Sequence, residues 1–303
     1  MDFTLRPMTI AEVLDRVFYL YRKNFVLFAG IAILPTGLAL VVRLFQLAVG
    51  GVPTLGRGGI STDAMMASAG GGILIVLVYL IGGSLASAAT VYALSMVHLG
   101  KTATIGESYR YVSPNIGRLV LIGILLALMF AGIGLAIVLS TFAGAVIPFI
   151  GILLSFGSLA IGIFFIVHLY ARFSLAIPAC VLEKTSAVKS LERSSFLTKG
   201  RTGRMWLVFL LTAIINFALG FAIALPVSIL AGLSAVKGQM PFGLLVALQV
   251  AEFLAGTLAA PITTISIGLL YYDERIRKEA FDLQYMMAAM GQPGQQQAAT
   301  SGL

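Results

Sequence analysis

The chain has 303 residues, of which 59% are apolar and 11% charged, with a mean hydropathy of +1.01 and a net charge of +8. A soluble domain carries about 25% charged residues, so there is too little charge here to cover a surface in water, and lipid is the expected solvent for most of the chain. One cysteine, Cys180, excludes an internal disulfide and a multi-cysteine metal site, and two histidines, His98 and His168, are thin material for metal chemistry.

The chain opens on a polar, patterned segment, Met1 to Asn24, without the apolar core and small-residue cleavage site of a secretory signal, so retention of the N-terminus is expected. Thr9 and Glu12 can close a capping box. Behind it Ile10, Leu14, Val17 and Tyr21 fall on one helical face, with Glu12 placed to pair with Arg16. The expectation is an amphipathic helix at headgroup level near residues 9–22. A first apolar span follows from Phe25 to Ala48 and contains Arg43.

Five more apolar stretches each reach the roughly 20 residues a helical span needs. They run from Gly71 to Leu99, Gly117 to Thr141, Pro148 to Ile177, Met205 to Leu233 and Phe242 to Tyr272. Alternating barrel patterning is absent. Gly82 to Ser87 gives two overlapping small-xxx-small patterns, and Gly132 and Gly134 thin the third span, so close helix packing or homodimerisation is expected there. Pro35, Pro148, Pro178, Pro226 and Pro261 should kink spans or mark their ends.

Two connections resemble the N-terminal segment. Thr104 to Glu107 repeats its start, with Pro114 stopping that helix near residues 104–113. Residues 186–199 repeat its body, since Leu191-Glu192-Arg193 and Phe196-Leu197 match Leu14-Asp15-Arg16 and Tyr19-Leu20 in spacing, ending on Lys199 where the first copy has Arg22. The fold class expected is all-α: a polytopic membrane protein whose six spans form three repeats of interfacial amphipathic helix plus helical hairpin. The membrane domain covers residues 1–283, and residues 284–303 form a low-complexity tail expected to be disordered in the cytoplasm.

Orientation follows from the bases. Of the 20 Lys and Arg residues, 17 fall in the N-terminal segment, the two repeated connections and the tail; Arg57 and Lys237 lie on the other side and Arg43 inside a span. The positive-inside rule then places both termini in the cytoplasm of a bacterial inner membrane. Arg16, Arg193, Lys199, Arg201 and Arg204 are the bases expected to contact anionic lipid or a membrane-protein partner. Nucleic acid is not an expected partner and no cofactor is expected. Glu183, Glu192, Asp273, Glu274, Glu279 and Asp282 read as solvated partners of neighbouring bases.

Within the spans the ionisable residues are Arg43 and Glu252, with His98, His168 and Arg172 near the inner ends. Arg43 lies about 18 residues past the inner end of the first span and Glu252 about 19 from the inner end of the last, which is roughly 27 and 28 Å at about 1.5 Å per residue. Opposite charges at one depth are expected to pair across the first and last spans, because an unpaired charge there is costly.

No phosphate-binding loop, His-Glu-x-x-His, paired cysteines or nucleophile elbow is present, so no enzyme is expected. The segment Met8 to Asn24, the stretch Tyr170 to Glu183 with Leu191 to Ser195, and the stretch Leu270 to Leu283 resemble bacterial membrane-domain proteins of the glycerophosphoryl diester phosphodiesterase family. The resemblance implies a multi-pass membrane module. Some members of that family join the module to a phosphodiesterase barrel, whereas the residues after Leu283 here are rich in Met, Gln, Gly and Ala, so the family name is not expected to bring the activity. The reading is a non-catalytic accessory or scaffold organising lipids or partners at a basic cytoplasmic face; the alternative is a small-solute transporter or channel.

Overall fold

In the computed structural model, residues 8–50, 62–98, 100–145, 148–236 and 241–279 are described. All regular structure among them is helical, and six helices are long and apolar enough to cross a membrane. The tail at 284–303 lies outside the described residues.

Helix α1 (Ile10–Lys23) is closed by the Thr9–Glu12 capping box and stops at Asn24, after which α2 (Phe25–Gly50) forms the first span. The second span is α3 (Thr62–Val78), a π-helical turn at Tyr79–Gly83, and α4 (Ser84–His98). The π turn falls on the Gly82-Gly83 pair, where a widened turn meets least side-chain resistance. Helix α5 (Ile105–Val112) carries the second capping box, Thr104 with Glu107, and a 3₁₀ turn holding Pro114 leads into α6 (Ile116–Ala145).

The fourth span is shorter than the expected run to Ile177. Helix α7 (Pro148–Phe173) ends at Phe173, and a separate helix, α8 (Ala176–Glu183), follows. The break is held by the Ser194 hydroxyl, which donates to the Arg172 carbonyl at 2.8 Å and accepts from the Leu175 amide at 3.2 Å. Both backbone groups would otherwise lose a partner at the interruption. Apolar composition continues through α8, which is why hydropathy merges the two. Lys184, in the left-handed region at φ 54°, turns the chain into α9 (Ala187–Thr198).

The last two spans are α10 (Thr202–Val236) and α11 (Phe242–Glu279), with Pro226 and Pro261 inside them. Helix α11 has 38 residues and carries its charged end well past the apolar stretch. A short helix thus precedes each pair of spans, with α8 as an addition. The three short helices differ in their caps: Ser186, before α9, makes no side-chain cap bond, unlike Thr9 and Thr104.

The buried core lies at the basic end of the bundle. It gathers α1, the adjoining ends of the spans, α8 and α9 around α4, which touches α2, α5, α6, α8 and α11. Toward the other end the spans face lipid, and in the third and fourth only 6% of the most apolar stretch is buried. Close approach occurs where glycine permits it. A Cβ on Gly268 of α11 would sit 2.4 Å from Leu94 Cδ2 of α4, and one on Gly151 of α7 would sit 1.8 Å from the Gly144 carbonyl oxygen of α6. Gly132 and Gly134, expected as contact points, meet nothing within 4 Å.

Helix α1 is docked on protein and does not lie on the headgroups alone. Its buried face is Val13, Val17, Leu20 and Tyr21, rotated from the face read in the sequence, and it packs chiefly on α11. The Tyr21 hydroxyl donates to the Leu258 carbonyl at 3.0 Å, and burial raises its pKa.

Candidate functional site

The end of α11 holds two consecutive carboxylates, Asp273 and Glu274, both fully buried. Arg204, from the first turns of α10, bonds both of them, reaching Glu274 Oε1 at 3.1 Å. Arg277 donates to Asp273 Oδ2 at 2.8 Å from the next helical turn. The N-terminal segment closes the cluster: Met8 N donates to Asp273 Oδ1 at 2.7 Å, and its carbonyl accepts from Arg204 at 2.7 Å and Arg277 at 2.6 Å. Arg201 stands 3.9 Å from the remaining oxygen of Glu274, which accepts no hydrogen bond in this arrangement.

A second network lies beside it. Arg193 of α9 donates from Nε to both oxygens of Glu183 at 3.0 Å and pairs with Glu279. Burial opposes its charge, yet bonds from Glu279 and Glu183 hold its pKa above the ordinary arginine value. Arg275 pairs with Glu279 at 3.2 Å and Glu183 at 3.8 Å, and Tyr271 donates its hydroxyl to Glu183 at 2.6 Å. These carboxylates are therefore not the solvated partners expected from their neighbours in sequence. Bases from α9 and α10 and the Met8 backbone of the N-terminal arm converge on α11, a convergence that no local window contains. The signal available was the adjacency of Asp273 and Glu274, since two neighbouring acids at the end of an apolar helix need several cations if they are to be buried.

The structure sorts the five bases singled out in the sequence. Arg193 and Arg204 are engaged within the protein as above. Lys199 is exposed, and Arg201 keeps 39% of its side chain accessible. Arg16 is half-buried on α1, where burial pushes its pKa down. Arg43 and Glu252 are brought together as an ion pair between α2 and α11, and Arg43 also donates to Gln249 at 3.3 Å. Deeper in the same seam Thr36 and Thr257 share a hydrogen bond of 2.8 Å.

A cleft of about 730 Å³ opens at the C-terminal end of α7, between it and α9. Arg172 and Lys199 stand on its walls with Ser195, Thr202, Phe173 and Val188. The Arg172 Nε donates to the Ser195 hydroxyl at 2.9 Å, which fixes the guanidinium along the wall. Lys278 reaches from α11 to the carbonyls of Phe196 and Lys199, neutralising the negative end of the α9 dipole. His168 lies at the floor, with its ring centroid 6.0 Å from Phe164 and 6.4 Å from Trp206. His98 stacks on Tyr272 elsewhere, at 5.4 Å. Among the described residues no three His, Cys, Asp or Glu side chains are grouped so as to hold a metal ion.

No curated protein matches the chain, and no solved structure matches it. Residues 149–286, from the start of α7 through the carboxylate-bearing end of α11, match the family described as the membrane domain of glycerophosphoryl diester phosphodiesterase, the family to which the stretches at Tyr170 and Leu270 are similar.

Proposed function

We propose that this membrane-embedded chain is a non-catalytic scaffold of a bacterial inner membrane, with both termini in the cytoplasm, that organises anionic lipids or a partner membrane protein at its basic end. The observation that supports the reading is the sorting of charge there. Carboxylates of α8 and α11 turn inward and are neutralised by Arg193, Arg204, Arg275 and Arg277. Arg172, Lys184, Lys189 and Lys199 remain exposed around the rim. Each such base near an anionic surface is worth about 1 kcal/mol, acting over a screening length of about 8 Å at physiological salt.

The test is the lipid and protein content of the purified chain. Anionic lipid should be enriched around it relative to the bulk membrane, and changing Lys184, Lys189, Lys199 and Arg201 together to Gln should abolish that enrichment. An unchanged lipid profile with no stable partner would sink the scaffold reading. Hydrolysis of a glycerophosphodiester that survives stringent purification, and disappears with His98→Ala or His168→Ala, would overturn the non-catalytic part.

Orientation has its own test. Ser194 sits in the charge-bearing connection but is fully buried, so Glu192, exposed on the same helix, is the better reporter. In a Cys180→Ser background, Glu192→Cys should react with an impermeant thiol reagent only after the membrane is opened. Gly59→Cys, in a connection outside the described residues, should react from outside. Equal labelling of both in intact cells would end the topology.

A further inference from the structure

We propose that the cleft between α7 and α9 is a binding site for the phosphate headgroup of one anionic phospholipid, with Arg172 and Lys199 as its cations. The proposal deepens the scaffold reading and rests on it, by naming one discrete site where that reading needs only a charged rim.

Three observations converge on this cleft. Its polar wall offers two cations and the hydroxyl of Ser195, with Thr202 beside them, and a guanidinium matches a phosphate diester through paired N–H donors. Arg172 is already oriented by its bond to Ser195, so little freedom is lost on binding. Its other wall is apolar, formed by Phe173, Val188, Leu191 and Phe196. A free phosphate ester gains nothing from such a wall, whereas a glycerol backbone and the first acyl carbons do.

The surface beyond the cleft continues the same logic. Along α7, away from the cleft, Phe164, Phe165 and Val167 are exposed by 53%, 50% and 36% and face the hydrocarbon. A lipid with its phosphate between Arg172 and Lys199 therefore has an apolar track for its chains along α7. Glu192 stands exposed at the rim and opposes an anion, so it sets a sign that can be tested.

The chain contains one tryptophan, and it is placed to report on this site. Trp206 contacts the His168 ring and lies one helical turn along α10 from Thr202, and both of those residues line the cleft. The experiment reconstitutes the full chain in phosphatidylcholine containing a small fraction of phosphatidylglycerol, with bromine on the acyl chains of one lipid or the other, and follows quenching of Trp206. Brominated phosphatidylglycerol should occupy the site with roughly fivefold preference per base over brominated phosphatidylcholine. Arg172→Gln with Lys199→Gln should remove the preference, while Arg22→Gln with Lys23→Gln, on exposed positions of α1, should leave it intact.

Lys199→Gln alone, at an exposed side chain, should lower the preference with an unchanged unfolding temperature, and Glu192→Gln should raise it. Should both double variants lower it equally, the attraction belongs to the rim as a whole: the cleft proposal falls and the scaffold reading stands. Absence of any preference in the unaltered chain would remove the cleft and the lipid arm of the scaffold reading together. Displacement of the brominated lipid by millimolar sn-glycerol 3-phosphate would show a soluble phosphate ester to be the ligand and would overturn the lipid assignment.

Discussion

The Tyr271 hydroxyl donates to Glu183 Oε1 at 2.6 Å, across 88 positions of sequence, and joins the last span to the end of α8. Both groups sit inside the basic end of the bundle, where Tyr271 is fully buried. Tyr271→Phe keeps the ring and deletes only the donor, leaving a carboxylate oxygen short of one bond. A loss of about 1–3 kcal/mol is expected, visible as a lower unfolding temperature in detergent. An unchanged midpoint would mean that Arg193 and Arg275 satisfy Glu183 on their own.

Arg204 should be the most sensitive base in the chain. It is the hub for Asp273, Glu274 and the Met8 carbonyl. Arg204→Ala leaves two buried carboxylates with less compensation, and a cost of about 3–5 kcal/mol follows. Arg204→Lys should recover only part of it, because an ammonium cannot fork among three acceptors with fixed planar geometry. The variants would be compared by thermal unfolding and by protease access at the N-terminal arm, which Arg204 holds. Full recovery by Lys would reduce the role of Arg204 to that of a point charge.

The Arg43–Glu252 pair is at once intramembrane and half-open, with side chains 31% and 56% exposed. Single changes to Ala should each destabilise the bundle in detergent, and the double change should cost less than their sum. The coupling expected for a pair in contact is about 0.5–3 kcal/mol. The swapped chain, Arg43→Glu with Glu252→Arg, should regain part of the loss. Strictly additive losses would show that each charge is solvated independently.

The seam between α4 and α11 depends on Gly268. Gly268→Val pushes atoms into the Leu94 side chain and should cost about 1–3 kcal/mol, and adding Leu94→Ala should recover a measurable part of that. Gly132→Ala, where no neighbour lies within 4 Å, should be neutral or slightly stabilising through helix propensity. Equal effects at the two glycines, in the same unfolding measurement, would show that packing at this seam is not what the glycine serves.

Composition and periodicity alone determined the solvent, the six spans and the start of the first two short helices. Those features are local: an apolar run of about 20 residues must be a helix in lipid because its backbone has no other partner there. A Thr with a Glu three residues on closes its own turn, as Thr9 and Thr104 do. The depth argument that paired Arg43 with Glu252 also needed only counting along a rigid helix. Tertiary structure decided the rest. It split α8 from α7, because the side chain that satisfies the broken backbone, Ser194, comes from a later helix. It chose Gly268 and Gly151 over Gly132 and Gly134 as contact points, since only neighbouring helices define a close approach. It also turned Asp273 and Glu274 from apparent surface acids into a buried centre, because Arg204 arrives from the first turns of α10 and the Met8 backbone from an arm 265 positions before Asp273, while α11 itself supplies only Arg277. Burial of charge is a property of the assembled neighbourhood, and no stretch of α11 by itself contains it.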